Sequence, residues 1–229
     1  MCLIAVAHRA STRFPLVLAA NRDEDYQRAT HDAHPWSDAP DVVGGKDGLY
    51  GGAWLAVRRG GRFAAVTNLR GAERKARSRG FLVRDYVTSA VEPEAYAQTL
   101  AAEADRYAGF HLLVGQVEGD AMYIAPELQT PLAPGLHAFS NAPAGEEWPK
   151  MAAAVERLRN ALEIVTAEAL MDELMRFLVT PRGTASPESE VFLRGDRYGT
   201  RSSTVVIATP TEILFAEQSY ASGGVAQGE

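Results

Sequence analysis

The sequence of 229 residues has a single cysteine, Cys2. One cysteine excludes an intramolecular disulfide and any CxxC metal or redox motif. The chain also lacks a run of about 18 apolar residues, which a transmembrane helix would need. The apolar residues 1–7 have no basic segment before them, so they do not form a signal peptide. We therefore predict a protein of the reducing cytoplasm with no integral membrane segment.

Neither positively nor negatively charged residues are in large excess. Lys and Arg total 23 against 29 Asp and Glu, a formal net charge of −6 at pH 7. A mildly acidic chain is a poor match to nucleic acid, so no nucleic-acid partner is predicted. His31 and His34 have the spacing of a metal-binding pair but lack a third ligand. We predict neither a metal nor a resident cofactor, and nothing in the sequence sets an oligomeric state.

Apolar residues make up 46% of the chain, an ordinary share for a globular protein. A chain of this length is long enough for one sizeable core. We predict one domain over residues 1–229, with a Gly-rich tail at 222–229 that is expected to fray.

Two continuous apolar runs, residues 3–7 and 16–20, predict strands that are buried on both faces. Their short connection favours antiparallel pairing. Strands covered on both faces indicate stacked layers, with a second sheet on one face and helices on the other. Further strands are predicted at 54–57, 63–66, 110–116, 121–124, 204–208 and 213–216, and helices at 81–90, from Pro93, at 148–162 and at 167–179.

Cys2 has two interpretations. A free cysteine at the start of a strand is most often a small buried apolar residue. However, initiator Met is normally removed before a small residue, and Cys2 then carries a free α-amine with a pKa of about 7.7–8.0. That amine can serve as the base for the neighbouring thiol, which would make Cys2 a nucleophile without the help of a histidine.

The sequence Asn-Arg-Asp-Glu at residues 21–24 follows the second apolar run. If the two strands form an antiparallel pair, these polar groups arrive beside Cys2. Asp23 can then orient the α-ammonium, and Arg22 can lower the thiol pKa or bind a substrate carboxylate. The alternative is a solvated, charged exit from the strand.

Polar residues also lie next to three other apolar runs: Asn68 and Asn141 each follow one, and Arg201 precedes the last. Asn68 and Asn141 can donate to a developing oxyanion, although Asn at such places more often caps a turn. Arg201 precedes the last hairpin and can equally be an ordinary surface residue.

Many short motifs, in one order, resemble the NRDE family, also called the transport and Golgi organisation protein 2 family. Besides Cys2 and residues 21–24, the motifs are Gly-Gly-Lys-Asp at 44–47, Gly-Gly-Ala-Trp-Leu at 51–55, Thr-Asn-Leu-Arg at 67–70, Ser-Arg-Gly at 78–80, Phe-Ser-Asn-Ala at 139–142, Trp-Pro-Lys at 148–150 and Tyr-Gly-Thr-Arg-Ser-Ser-Thr at 198–204. The departures Ala29, Ala53, Ala56 and Leu69 fall mostly around the Gly-rich segments, so they bear on substrate preference more than on fold.

This family is similar to N-terminal-nucleophile hydrolases of the penicillin V acylase and bile-salt hydrolase branch. The resemblance implies an α+β fold, a four-layer αββα sandwich of two antiparallel sheets. It also implies a catalytic set in which Cys2 is the nucleophile, Asp23 the partner of the α-amine, Asn141 an oxyanion or amine-orienting residue and Arg201 a support for the nucleophile. Arg22 matches less securely, because its spacing to Asp23 differs from the branch pattern.

The first predicted function is therefore an amidohydrolase that cleaves a non-peptide C–N bond. Residues 70–84 are rich in arginine and follow Asn68. Such runs usually form solvated faces, but a basic rim would bind carboxylates or phosphates, with Asn68, Arg70 and Arg79 as ligand-binding residues. The second predicted function is accordingly a non-catalytic carrier of haem or of an acyl-lipid or acyl-CoA, with haem as transported ligand rather than cofactor.

Overall fold

The structure, a computed structural model, describes residues 2–73, 75–181 and 186–228. The chain divides into two compact units, Met1–Arg28 with Pro134–Glu229 and, between them, Ala29–Ala133. The strands among the described residues are β1 (Leu3–His8), β2 (Leu16–Asp25), β3 (Thr30–Trp36), β4 (Ala39–Asp47), β5 (Ala53–Arg58), β6 (Arg62–Asn68), β7 (Phe110–Gln116), β8 (Ala121–Ala125), β9 (Leu128–Pro131), β10 (Gly135–Ser140), β11 (Tyr198–Ala208), β12 (Ile213–Ala221) and β13 (Val225–Gln227). The α-helices there are α1 (Gly80–Thr88), α2 (Pro93–Ala101), α3 (Pro149–Ala161) and α4 (Ala167–Val179).

The first unit contains one antiparallel sheet in the order β10-β1-β2-β11-β12-β13. The predicted pairing of the two apolar runs is confirmed, with β1 and β2 in register from Leu3 opposite Asn21 to His8 opposite Leu16. Helices α3 and α4 pack on this sheet. Apolar side chains from both layers form the core, including Leu3, Val17, Ala154, Leu158, Leu174 and Val205.

Strand β2 is longer than its apolar run. Residues 21–24 lie inside the strand rather than beyond its end, because β11 continues to pair with them. Thr200 stands opposite Asp23 and Ser202 opposite Arg22, and a β-bulge at Arg201 separates these two pairs. Asn21 is therefore paired on both sides, with β1 and β11, whereas residues 22–24 are paired with β11 alone.

The second unit contains the sheet β3-β4-β5-β6-β7-β8-β9, in which neighbouring strands are antiparallel. Helices α1 and α2 pack on it, and Leu82, Tyr86 and Leu112 are among its fully buried side chains. Strands β3, β4 and β9 were not predicted, because β3 is mostly polar, β9 has only four residues and β4 contains Gly44 and Gly45. A Cβ on Gly45 would overlap the Trp54 ring, so this glycine permits a close approach between neighbouring strands.

The C-terminal segment takes part in the first sheet. Residues 222–224, in the tail expected to fray, form a turn of 3₁₀-helix, and β13 then pairs with β12 from Ser219 opposite Gln227 to Ala221 opposite Val225. Within the described part of the chain, no helix is both long and apolar enough to cross a membrane. Two antiparallel sheets with helices confirm the predicted α+β class.

Asn21 fixes the polar end of β2 to the helical layer. Its side chain is 1% exposed. The Nδ2 amide donates to the carbonyl oxygens of Leu178 and Val191, each at 2.8 Å, and Oδ1 accepts from the Ser203 hydroxyl at 2.6 Å. The Leu178 carbonyl lies in the last turn of α4, where a helix has no intrahelical donor to offer. One side chain thus ties β2, α4 and β11 together.

We expect Asn21→Ala to destabilise the protein strongly. The substitution leaves two buried carbonyls and one hydroxyl without a partner, at a cost of about 3 kcal/mol or more. Thermal unfolding should then begin at least about 6 °C lower. Ser203→Ala removes one of the three hydrogen bonds and serves as the graded control, with a smaller loss. An Asn21→Ala midpoint within about 1 °C of the parent would contradict this role.

Candidate active site

Cys2 lies directly before β1, the strand that is paired with β10 on one side and with β2 on the other. Leu3 pairs with Asn21 on one side and with Ser140 on the other. One further step along these registers places Cys2 next to Arg22 and Asn141. The Ser140 hydroxyl donates to the Cys2 carbonyl oxygen at 2.6 Å, which fixes the backbone of the cysteine.

The Cys2 sulfur lies beside Asp23, as the predicted hairpin requires. Its Sγ is 3.8 Å from the Asp23 carbonyl oxygen, within the range of a weak S–H hydrogen bond. The predicted α-amine depends on removal of Met1, and Met1 lies outside the described residues. The adjacency of the cysteine and the aspartate is therefore the part of the prediction that the described residues address.

Asp23 is held in one orientation by its neighbours on β11. The residue is 4% exposed, and its Oδ1 accepts a hydrogen bond of 2.7 Å from the Thr200 hydroxyl. Thr200 in turn accepts from the Leu193 backbone N–H at 2.9 Å, which leaves its hydroxyl hydrogen for the aspartate. A buried carboxylate with an oriented donor is suited to hold a cation at a fixed position.

The thiol of Cys2 is kept largely protonated by its surroundings. Burial raises its pKa above the ordinary value, and the negative charge of Asp23 acts in the same direction. The guanidinium of Arg22 lowers it in part. Arg22 is 7% exposed and also forms an ion pair with Glu24 at 3.3 Å. A thiol in this state needs a nearby base before it can act as a nucleophile.

Two further side chains belong to this cluster, and the sequence did not identify them as functional. The Tyr198 hydroxyl donates to the Asp23 carbonyl oxygen at 3.2 Å, although 47% of the residue is exposed. Partial burial, together with Cys2 and Asp23, raises the pKa of this tyrosine. Lys150, in the first turn of α3, is fully buried and interacts electrostatically with both Asp23 and Cys2.

The signals for these residues were weak. Tyr198 and Thr200 stand in a motif from which only Arg201 was selected. Lys150 is one of only three lysines among 23 basic residues, and it opens a helix, where the helix dipole disfavours a positive charge.

Arg201 is directed away from Cys2. It is the extra residue of the β11 bulge, and its Nη1 donates to the Tyr220 carbonyl oxygen at 2.7 Å and to Gln227 Oε1 at 3.3 Å. Its guanidinium therefore contacts β12 and β13. Asn141, the predicted oxyanion donor, is 5% exposed and directly follows Ser140, the last residue of β10.

The remaining predicted residues, Asn68, Arg70 and Arg79, belong to the second unit. Asn68 ends β6 and is exposed, as is Arg70, and Arg79 donates to the Gly109 carbonyl oxygen at 3.0 Å. The arginine run around them is partly neutralised within this unit. Arg77 pairs with Asp85 at 2.7 Å and Arg84 with Asp38 at 3.2 Å.

His31 and His34 lie on β3, with ring centroids 6.5 Å apart. Across the described ranges, no group of three or more His, Cys, Asp or Glu side chains is arranged to hold a metal ion.

The family model for Transport and Golgi organisation 2 matches residues 1–222. The chain belongs to the Transport and Golgi organisation 2 family. The resemblance predicted from the sequence is confirmed. A family member from Bos taurus, the Transport and Golgi organization protein 2 homolog, is 31% identical over a 239-position alignment that covers 90% of this chain and 87% of the relative.

Solved structures of N-terminal-nucleophile hydrolases have the same fold as this chain. The N-acylethanolamine-hydrolyzing acid amidase ortholog of Caenorhabditis elegans has a TM-score of 0.54 at 14% identity, covering 90% of this chain and 92% of that chain. A mutant form of the conjugated bile acid hydrolase of Clostridium perfringens has a TM-score of 0.53 at 10% identity, covering 94% and 92%. The predicted fold is therefore confirmed.

We expect the alkylation of Cys2 by iodoacetamide to report the local charges. Because burial raises the pKa of the thiol, the rate should still be rising with pH above about 8.5, the midpoint of an ordinary cysteine. Asp23→Asn removes a charge that opposes the thiolate and should move the midpoint down by about half a pH unit or more, whereas Arg22→Gln should move it up.

Arg197→Gln is the matched control for these two variants. Arg197 is 79% exposed and pairs with Asp25 on the same strand, so its removal should leave the midpoint unchanged. Shifts of Asp23→Asn and Arg22→Gln in the same direction would contradict the electrostatic description of the site.

Proposed function

We propose that this protein is an amidohydrolase of the N-terminal-nucleophile type, with Cys2 as nucleophile and a non-peptide amide as substrate. The observation that carries the proposal is the position of the Cys2 sulfur, 3.8 Å from the backbone carbonyl oxygen of Asp23, a residue whose carboxylate is buried and oriented by Thr200. The fold shared with N-terminal-nucleophile hydrolases supports it.

The reaction begins with the removal of Met1, which gives Cys2 a free α-amine. The amine takes the thiol proton, and Asp23 balances the positive charge that results. This base is needed because the raised pKa of the Cys2 thiol leaves it largely protonated at neutral pH. An α-amine has a pKa of about 7.7–8.0, close to the pH at which it must accept and return a proton.

Sγ then attacks the amide carbonyl carbon, and the carbonyl π electrons move to oxygen. Asn141 donates a hydrogen bond to this oxyanion. When the oxyanion collapses, the C–N bond breaks and the leaving nitrogen takes the proton from the α-ammonium. The thioester left on Cys2 is hydrolysed by water, which releases the acid and restores the thiol.

The substrate class that fits best is an N-acyl amide with a small polar amine. The two solved structures compared above are named for hydrolysis of an N-acylethanolamine and of a conjugated bile acid, and the first of these names is that of an acyl amide of a small polar amine. Arg22, which follows Asn21 on β2, would have to exchange its ion pair with Glu24 to bind a negatively charged group of the amine product.

The alternative of a haem or acyl-lipid carrier rested mainly on a basic rim. Two of the arginines in that run, Arg77 and Arg84, are ion-paired with acidic residues of their own unit, and Arg79 is bonded to a backbone carbonyl. This pairing weakens the attraction for a polyanionic ligand, so we favour the amidohydrolase.

We expect hydrolysis of an N-acyl amide, followed by release of its amine, to depend on Cys2. Cys2→Ala should abolish turnover, and Asn141→Ala should lower kcat by about 100-fold or more, because one oxyanion donor is lost. Arg176→Gln changes an exposed ion pair on α4 and should leave kcat unchanged.

Intact turnover in Cys2→Ala would overturn the proposal. A panel of N-acyl amides that the parent protein leaves uncleaved, combined with tight stoichiometric binding of haem or acyl-CoA, would favour the carrier instead.

A further inference from the structure

Lys150 is a buried cation that the proposed reaction does not use. It is the second residue of α3, and it is 0% exposed. A lysine is rarely buried completely unless a negative charge compensates it. The N-terminal turn of a helix is also an unfavourable place for a positive charge, because the backbone N–H groups there are already electropositive. Something close to Lys150 must therefore offset both costs.

The topology places Lys150 near the nucleophile. Strand β10 ends at Ser140, whose hydroxyl is bonded to the Cys2 carbonyl oxygen, and α3 begins nine residues later and packs on β1 and β10. The Lys150 backbone N–H donates to the Glu188 carbonyl oxygen at 3.2 Å, which anchors the first turn of the helix. The ammonium lies 5.6 Å from the centre of the Trp148 ring.

The negative charges that act on Lys150 come from three elements. In decreasing order of effect, they are Asp23 of β2, the thiolate form of Cys2, and Glu188 of the loop before β11. Burial lowers the pKa of Lys150, and these three groups oppose the change.

Asp23 is 4% exposed and alternates with Arg22 along β2, so it lies on the same face as Asn21, the face that the helices cover. Lys150 is on the buried face of α3 that packs on this sheet. The two opposite charges are therefore both buried on one side of the sheet.

We propose that Lys150 is a positioning residue that serves as the buried counter-ion of Asp23 and thereby sets the electrostatic environment of Cys2. The inference rests on the proposed function for its purpose, but its physical content concerns the resting protein. Lys150 offsets the negative charge that Asp23 places beside the sulfur. With Thr200 bonded to Oδ1, the aspartate is held from the strand side by a hydroxyl and from the helical side by a cation.

A double-mutant cycle tests the pairing. We compare thermal unfolding of the full chain with that of Lys150→Met, Asp23→Asn and the double variant. Each single variant leaves one buried charge without its partner, and we expect a midpoint about 10 °C lower. The double variant retains neither charge, so it should recover at least about half of the summed loss.

The ion pair of Lys46 and Asp38 provides a matched control in the same chain. Its atoms are 2.7 Å apart, but the Asp38 side chain is 46% exposed. The corresponding cycle, Lys46→Met with Asp38→Asn, should show a coupling of less than about 2 °C, because water screens the half-exposed Asp38 and Arg84 also pairs with it.

A second readout separates positioning from stability alone. Asp23 and Arg22 from β2 are among the groups that shift the pKa of Cys2. Cys2 in turn interacts electrostatically with Lys150 from α3 and with Tyr198 from β11. Loss of the Lys150 charge should raise the midpoint of Cys2 alkylation by about half a pH unit or more. Lys150→Arg keeps the charge and should stay close to the parent.

The outcomes decide the inference in either direction. Additive thermal losses in the Lys150 and Asp23 cycle would overturn the pairing. Coupled losses with an unchanged alkylation midpoint in Lys150→Met would leave a purely structural ion pair and overturn the positioning role. Neither readout needs turnover, so a chain that hydrolyses no amide would overturn the proposed function without deciding this one.

Discussion

The buried carboxylate of Asp23 is the constraint around which the first unit is organised. A charge that is 4% exposed must be compensated by the protein, and β11 and α3 each supply part of the compensation. Thr200 donates a hydrogen bond from the strand opposite, and Lys150 contributes a positive charge from the first turn of the helix. The Cys2 sulfur, beside the same residue, experiences the balance of these charges, and its ionisation follows from them.

The side chains of residues 21–24 alternate between the two faces of the sheet, and the residues on each face have different roles. Asn21 is bonded to the end of α4 and to Ser203, so its role is to hold the strand in place. Asp23, two residues later, projects to the same face and meets Thr200. Arg22 lies between them on the other face and pairs with Glu24. A short motif therefore combines a structural anchor with groups that act on the Cys2 thiol.

Much of this arrangement could be predicted from the sequence, since apolar runs and a short connection were enough to pair β1 with β2. That pairing alone brought residue 23 to Cys2. Strand β3 was not predicted because its side chains are mostly polar, and β9 was not predicted because it has only four residues. The direction of Arg201 could not be predicted, because a bulge in β11 decides where its guanidinium lies. Lys150 was missed because a lysine among apolar helix residues is ordinarily a surface residue, and only the packing of α3 shows it to be buried.

The central claim is that Cys2, as the first residue of the mature chain, carries the acyl group during catalysis. The most direct measurement is tandem mass spectrometry of the N-terminal peptide from protein quenched with acid while it turns over an N-acyl amide. The account predicts a peptide that begins at Cys2 and bears the acyl group on its sulfur. An active protein that retains Met1, or an acyl group on any other residue, would contradict it.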